Sequence, residues 1–204
     1  MDYTRIRQLK FTATACHHLQ CGGPFLSSTH GPLIHERAVK KVHDHVQDAI
    51  GRGACVLSGG EHLQDKGPNF YAPTVLADVP YDARLHTEET FGPVAALTKF
   101  DTEEEVIALA NNTEYGLAGY LFSRDVGRVW RVAEKLEVGM VGANTALTAQ
   151  PTFPFGGVKE SGYGREGHKG EQWMRTLYLL GLVSQFCVGI EEYLITKYIA
   201  FGGV

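Results

Sequence analysis

HTEETFGPV (residues 86–94) sets two carboxylates, Glu88 and Glu89, directly before a Phe-Gly-Pro turn, and the strand-like run VAALTKF (residues 94–100) follows from it. Pro93 fixes its own φ and biases Gly92 towards an extended shape. Gly92 lets another backbone or a ligand come close. A carboxylate and the aromatic Phe91 are thereby held on a stiff corner at a sheet edge. Such a corner can offer an acceptor to a sugar diol and a flat face to a ring. Acidic turns are common, and from this stretch alone a plain surface turn with two solvated acids fits as well.

Outward from the corner, strand and helix patterns alternate. Upstream, residues 33–50 are amphipathic, with Leu33, Ile34, Ala38, Val39, Val42, Val46, Ala49 and Ile50 at helical intervals, and Gly51 and Gly53 closing the run. The charges and His35, His43 and His45 between them are assigned to the wet face. ACVLS (54–58) reads as a short buried strand with Cys55 as a small core residue. NFYAPTVLADV (69–79) is β-rich and leads into the corner. Downstream, Asp101 and Glu104 have capping-box spacing before a helix carrying Val106, Ile107 and Ala110. GLAGYLFS (116–123) reads as a strand. Residues 125–136 read as a helix with Val126, Val129, Val132, Ala133 and Leu136 inward, and MVGAN (140–144) as a strand. Four alternations predict an α/β fold with a mainly parallel sheet and flanking helices.

The chain has 204 residues, 44% hydrophobic and 21% charged, which suits a globular protein with a real core. A net charge of −4 carries no nucleic-acid footprint. Cys16, Cys21, Cys55 and Cys187 are irregularly spaced, unlike a disulfide framework. CHHLQC (16–21) offers four potential metal ligands, but a structural zinc site wants a second ligand pair, and no metal is expected there. Residues 171–188 are apolar but too short and interrupted for a membrane span. The N-terminal stretch has no long apolar region of a secretory signal, while Arg5, Arg7 and Lys10 faintly suggest a transit peptide. The expected location is cytoplasmic, with mitochondrial as the alternative.

Four segments in order, HTEETFGPV, NNTEYGLAGYLFS (111–123), VGMVGAN (138–144) and PFGGVKESGYGREG (154–167), resemble the C-terminal part of NAD(P)-dependent aldehyde dehydrogenases, in particular the succinate-semialdehyde dehydrogenase group. The resemblance covers about residues 30–169 and resumes at 189–203. Residues 1–29 stand apart as an atypical N-terminal segment and 170–188 as an atypical apolar insertion, expected to form a helix on a bare flank or to self-associate. Residues 189–204 are expected to be a strand used for dimer contacts.

The resemblance implies NAD or NADP as cofactor and a small-molecule aldehyde as substrate. Glu89 matches the acid that holds the nicotinamide-ribose hydroxyls, and Phe91 the aromatic that packs beside that ribose. Phe155 matches the ring lining the substrate tunnel, and Asn144 a strand-end residue before the substrate loop. Ala149 stands where the succinate-semialdehyde group has a serine for the substrate carboxylate, with Thr148 adjacent. Lys159 and Arg165 are expected to brace loops. Oxidation of an aldehyde also needs a thiolate nucleophile, an oxyanion hole and a base. Cys16 and Cys21 lack the Gly-Gln-x-Cys context, and no dinucleotide-binding G-x-G-x-x-G follows a strand. No catalytic residue is therefore assigned. The expectation is a truncated oxidoreductase chain, inactive alone. The alternative is a non-catalytic oligomerisation fragment pairing with like chains or full-length subunits.

Overall fold

The computed structural model describes residues 30–149, 154–166 and 197–202. The CHHLQC stretch and the apolar run 171–188 lie outside them. The chain divides into two compact units, residues 1–99 and 100–204.

In the first unit, helix α1 spans Glu36–Gly51. His35 caps it, its Nδ1 accepting from the Ala38 N–H at 3.0 Å. Its end is a Schellman turn: Gly53 at φ 108° donates to the Ile50 carbonyl and Ala54 to that of Ala49. Strands β1 (Cys55–Ser58), β2 (Thr74–Ala77) and β3 (Val94–Ala96) form a sheet in that order. β1 pairs antiparallel with β2, and β2 parallel with β3. A single helical turn, α2 (Arg84–Thr87), precedes the acidic corner, its first N–H held by the Asp48 carboxylate at 2.9 Å. The core is the stripe Val39, Val42, Val46 and Ala49 of α1 packed with Tyr71, Leu76, Val79 and Ala83.

In the second unit, α3 (Glu103–Asn111) and α4 (Val126–Lys135) accompany β5 (Ala118–Leu121), β6 (Met140–Ala143) and β8 (Tyr198–Phe201), a wholly parallel sheet with β6 in the middle. β6 is buried along its whole length. A short antiparallel ladder joins β4 (Tyr115–Gly116) to β7 (Val158–Lys159). Lys197 donates to the carbonyls of Ala133, Glu134 and Leu136, placing its cation on the exposed C-terminal end of α4. Among the described residues no helix is long and apolar enough to cross a membrane.

The α/β class with mostly parallel pairing agrees with the sequence pattern, but several assignments change. Cys55 is exposed, not core, because β1 is an edge strand that no other described element covers at Cys55, Val56 and Leu57. The capping box of α3 is Thr102 with Glu105, one residue later than expected, since only that register lets the hydroxyl meet the third backbone N–H. Val126 is exposed. His45, assigned to the wet face, is fully buried.

Candidate functional site

The acidic corner is built from behind by α1. His45 Nδ1 lies 2.6 Å from the Thr90 hydroxyl and Nε2 lies 3.1 Å from a Glu88 carboxylate oxygen. The Arg84 guanidinium binds the same carboxylate through two contacts, 2.7 and 3.0 Å. Arg84 first, and His45 second, hold the Glu88 carboxyl down at about 2. Gly92 rests on α1 so closely that a Cβ there would stand 2.3 Å from Val42 Cγ2. The carbonyl of Pro93 accepts from Thr74 N–H at 2.8 Å, docking the corner onto β2.

Glu89 and Phe91 face the other way. Phe91 is 78% exposed. Glu89 is exposed and has no hydrogen-bond or ion-pair partner among the described residues. Of the two adjacent acids, one is consumed by structure and the other is left available.

The depressed Glu88 value has a consequence with a definite sign. Its carboxyl sits below the ordinary 4.5 in the folded chain. Its ionised form therefore stabilises the first unit above pH 4.5, and that contribution is lost as pH falls from 4.5 towards about 2. Urea unfolding across this window should show a steeper acid loss for the parent than for Glu88→Gln. Because the carboxylate is partly solvated, added salt should shrink the difference.

The second unit carries the other matched residues on two loops. Beyond β6, Asn144 adopts φ 56°. Its side chain clasps Ser123, accepting from its N–H at 2.8 Å and donating to its carbonyl at 2.9 Å. Asparagine tolerates this left-handed conformation better than most residues. Thr148 is buried with its hydroxyl 3.0 Å from that of Tyr120. It therefore serves to hold the loop. Ala149 is exposed and brings no polar group. On the other loop, the backbones of Phe155 and Glu166 exchange two hydrogen bonds, 2.8 and 2.7 Å. Arg165 donates to the Gly157 and Gly164 carbonyls at 2.6 and 2.8 Å. Lys159 donates to the Asn111 and Thr113 carbonyls and pairs with Glu137 at 2.6 Å. Both cations brace loops, as expected. Phe155 borders a depression of about 250 Å³ together with Leu117, Ser161 and Tyr163.

Glu89 and Phe91 thus share one corner, while Phe155 and Ala149 sit on separate loops of the other unit. Sequence reasoning missed His45, Arg84 and Tyr120 as supports. The only advance sign of His45 was its place three residues after Val42 on the apolar stripe. Among the described residues no group of three His, Cys, Asp or Glu could hold a metal ion.

An α/β chain with a free acidic–aromatic corner and an aromatic loop bounded by glycines has clear relatives. The family model described as "Aldehyde dehydrogenase family" matches residues 7–178, and the chain belongs to that family. Mitochondrial succinate-semialdehyde dehydrogenase of Rattus norvegicus is 48% identical over 196 residues, 96% of this chain and 34% of that protein. Succinate-semialdehyde dehydrogenase [NADP(+)] 1 of Schizosaccharomyces pombe is 56% identical over 141 residues, 69% of this chain and 28% of that protein. The crystal structure of succinate-semialdehyde dehydrogenase from Burkholderia pseudomallei superposes with a TM-score of 0.74 at 54% identity, over 76% of this chain and 32% of that one. The chain therefore spans about a third of the length of the relatives it matches.

Proposed function

We propose that this chain supplies parts of an NAD(P)-dependent aldehyde dehydrogenase site: the acidic corner of the first unit receives the nicotinamide ribose, and the Phe155 loop of the second borders the aldehyde tunnel. The observation that carries this reading is the Glu89 carboxylate, without a partner among the described residues, two positions before the exposed Phe91 on a corner fixed from behind. An ionised carboxylate only accepts hydrogen bonds, so its natural partner is a vicinal diol with two O–H donors. Phe91 offers its face to the same sugar, and Gly92 keeps the backbone low beside it. When bound, the nicotinamide supplies the hydride acceptor. Phe155 shapes the apolar approach on the other unit. Succinate semialdehyde is a candidate substrate because relatives bear that name, although Ala149 provides no hydroxyl for a substrate carboxylate and Thr148 is occupied by Tyr120. Relatives named as mitochondrial support a mitochondrial location over the cytoplasmic one.

Alone, the chain is expected to be inactive, because it offers no assigned nucleophile. Incubated with NAD or NADP and succinate semialdehyde, it should yield no reduced nicotinamide. Turnover abolished by Cys16→Ala or Cys21→Ala would overturn the expectation. Cofactor contact is tested separately by saturation-transfer NMR with NADP and NAD. Loss of a charge-assisted hydrogen bond costs about 1.5–3 kcal/mol, so Glu89→Gln should weaken binding roughly tenfold to a hundredfold. Unchanged affinity would remove Glu89 from the cofactor site. The alternative is a non-catalytic oligomerisation fragment that pairs with full-length subunits. Co-expression with a full-length relative would reveal it as a mixed oligomer that depends on residues 189–204.

A further inference from the structure

We propose that His45 is a positioning residue that sets the register of the acidic corner, deciding that Glu89 and Phe91 face outward, and not Glu88 and Thr90. Helix α1 grips the corner at alternate residues. His45 holds Glu88 and Thr90 through its two ring nitrogens, at 3.1 and 2.6 Å. Val42, one turn earlier on the same face, receives Gly92. The chain leaves α2 in an extended conformation, with Glu88 at φ −113° and ψ 134°. Successive side chains of an extended chain point to opposite sides. With residues 88, 90 and 92 turned onto α1, residues 89 and 91 are turned away from it. A slip of one residue would exchange the two sets, pairing Glu89 with His45 and releasing Glu88 from it.

The hydrogen-bond directions make His45 more than a filler. Arg84 and His45 keep the Glu88 carboxylate ionised, and a carboxylate can only accept. Nε2 must therefore carry a proton and donate to Glu88. In the neutral ring Nδ1 then has a bare lone pair, and the Thr90 hydroxyl donates to it. One side chain thus reads an acceptor at 88 and a donor at 90. Slipped by one, it would meet Glu89 at the first place and Phe91 at the second, and Phe91 has no donor. This pairing, together with the Arg84–Glu88 ion pair and the seat of Gly92 on Val42, distinguishes the two adjacent glutamates. The consequence for the cofactor rests on the proposed role of Glu89; the register itself does not.

Hydrogen exchange on the full chain tests the register without any ligand. His45→Leu should speed exchange of the 88–93 amides at least tenfold while residues 36–51 keep parent rates, and His45→Gln, which retains an acceptor and a donor, should recover most of the protection. Ring-nitrogen NMR of the parent should show His45 protonated at Nε2 and bare at Nδ1, with Thr90→Val moving the Nδ1 signal. NADP binding by saturation-transfer NMR should weaken about tenfold in His45→Leu and recover in His45→Gln. Parent-like exchange at 88–93 in His45→Leu, or the opposite tautomer, would overturn the proposal. A loosened corner in a chain whose NADP binding ignores Glu89→Gln would sustain the register and reject the cofactor reading. If His45→Leu does not fold, Thr90→Val gives the same comparison with α1 intact, and parent-like exchange in it would overturn the proposal.

Discussion

Gly139→Ala is expected to destabilise the second unit by about 3 kcal/mol, the upper end of ordinary overpacking. An added Cβ would stand 2.1 Å from the Gly156 carbonyl oxygen and 2.8 Å from Gly157 Cα. Both obstacles are backbone, so no side-chain rotation relieves them. Gly139 is also held in place, donating to the Gly116 carbonyl at 3.0 Å and accepting from Tyr198 N–H at 2.9 Å. The loop carrying Phe155 must move instead, taking with it the pair of backbone bonds between Phe155 and Glu166. Urea melts of parent and variant measure the loss, and the exchange rates of the 155 and 166 amides report the loop. Parent stability within about 0.5 kcal/mol, the range of a neutral surface change, would mean that this loop does not pack on the start of β6.

Gly92→Ala is expected to cost about 1–3 kcal/mol by the same mechanism and to dislodge the acidic corner from α1. Here the obstacle is a side chain, Val42 Cγ2 at 2.3 Å, but it is a poor candidate for yielding. Val42 is 1% exposed, and a β-branched residue in a helix has one strongly preferred rotamer. The clash predicts a compensating pair. Val42→Ala alone should destabilise by opening a void, yet in the Gly92→Ala background the new methyl should partly fill it. The double variant should then be more stable than the sum of the single changes by more than about 0.5 kcal/mol, the limit of additivity for independent sites. Simple additivity would show that the corner does not rest on Val42.

Most of the α/β pattern was legible because it is local. α1 followed from the spacing of Val39, Val42, Val46 and Ala49, and α4 from that of Val129, Val132, Ala133 and Leu136; the Asp125 carboxylate caps α4 by accepting from Arg128 N–H at 3.0 Å. The corner at 86–94 was legible as a turn because Phe-Gly-Pro restricts its own backbone. The loop-bracing roles of Lys159 and Arg165 were implied by resemblance, and their contacts agree. Cys55 was misplaced because a short apolar run reads the same on an edge strand as in a core, and only the neighbouring strand distinguishes them.

By itself, then, the sequence determined the elements, the α/β class, the acidic–aromatic corner and the family resemblance, all set by residues within a few positions of each other. Tertiary structure decided which glutamate is free. Glu88 and Glu89 are chemically identical neighbours, and the one local difference is Arg84, four residues before Glu88, whose guanidinium binds that carboxylate. The long-range part of the distinction comes from His45, 43 residues earlier, whose burial is affordable only because both ring nitrogens find partners in the corner. It also decided that Thr148 is turned to Tyr120, 28 residues away, so the residue beside Ala149 cannot lend it a hydroxyl. Contacts across such separations depend on how helix and strand pack, and hydropathy spacing carries no record of them.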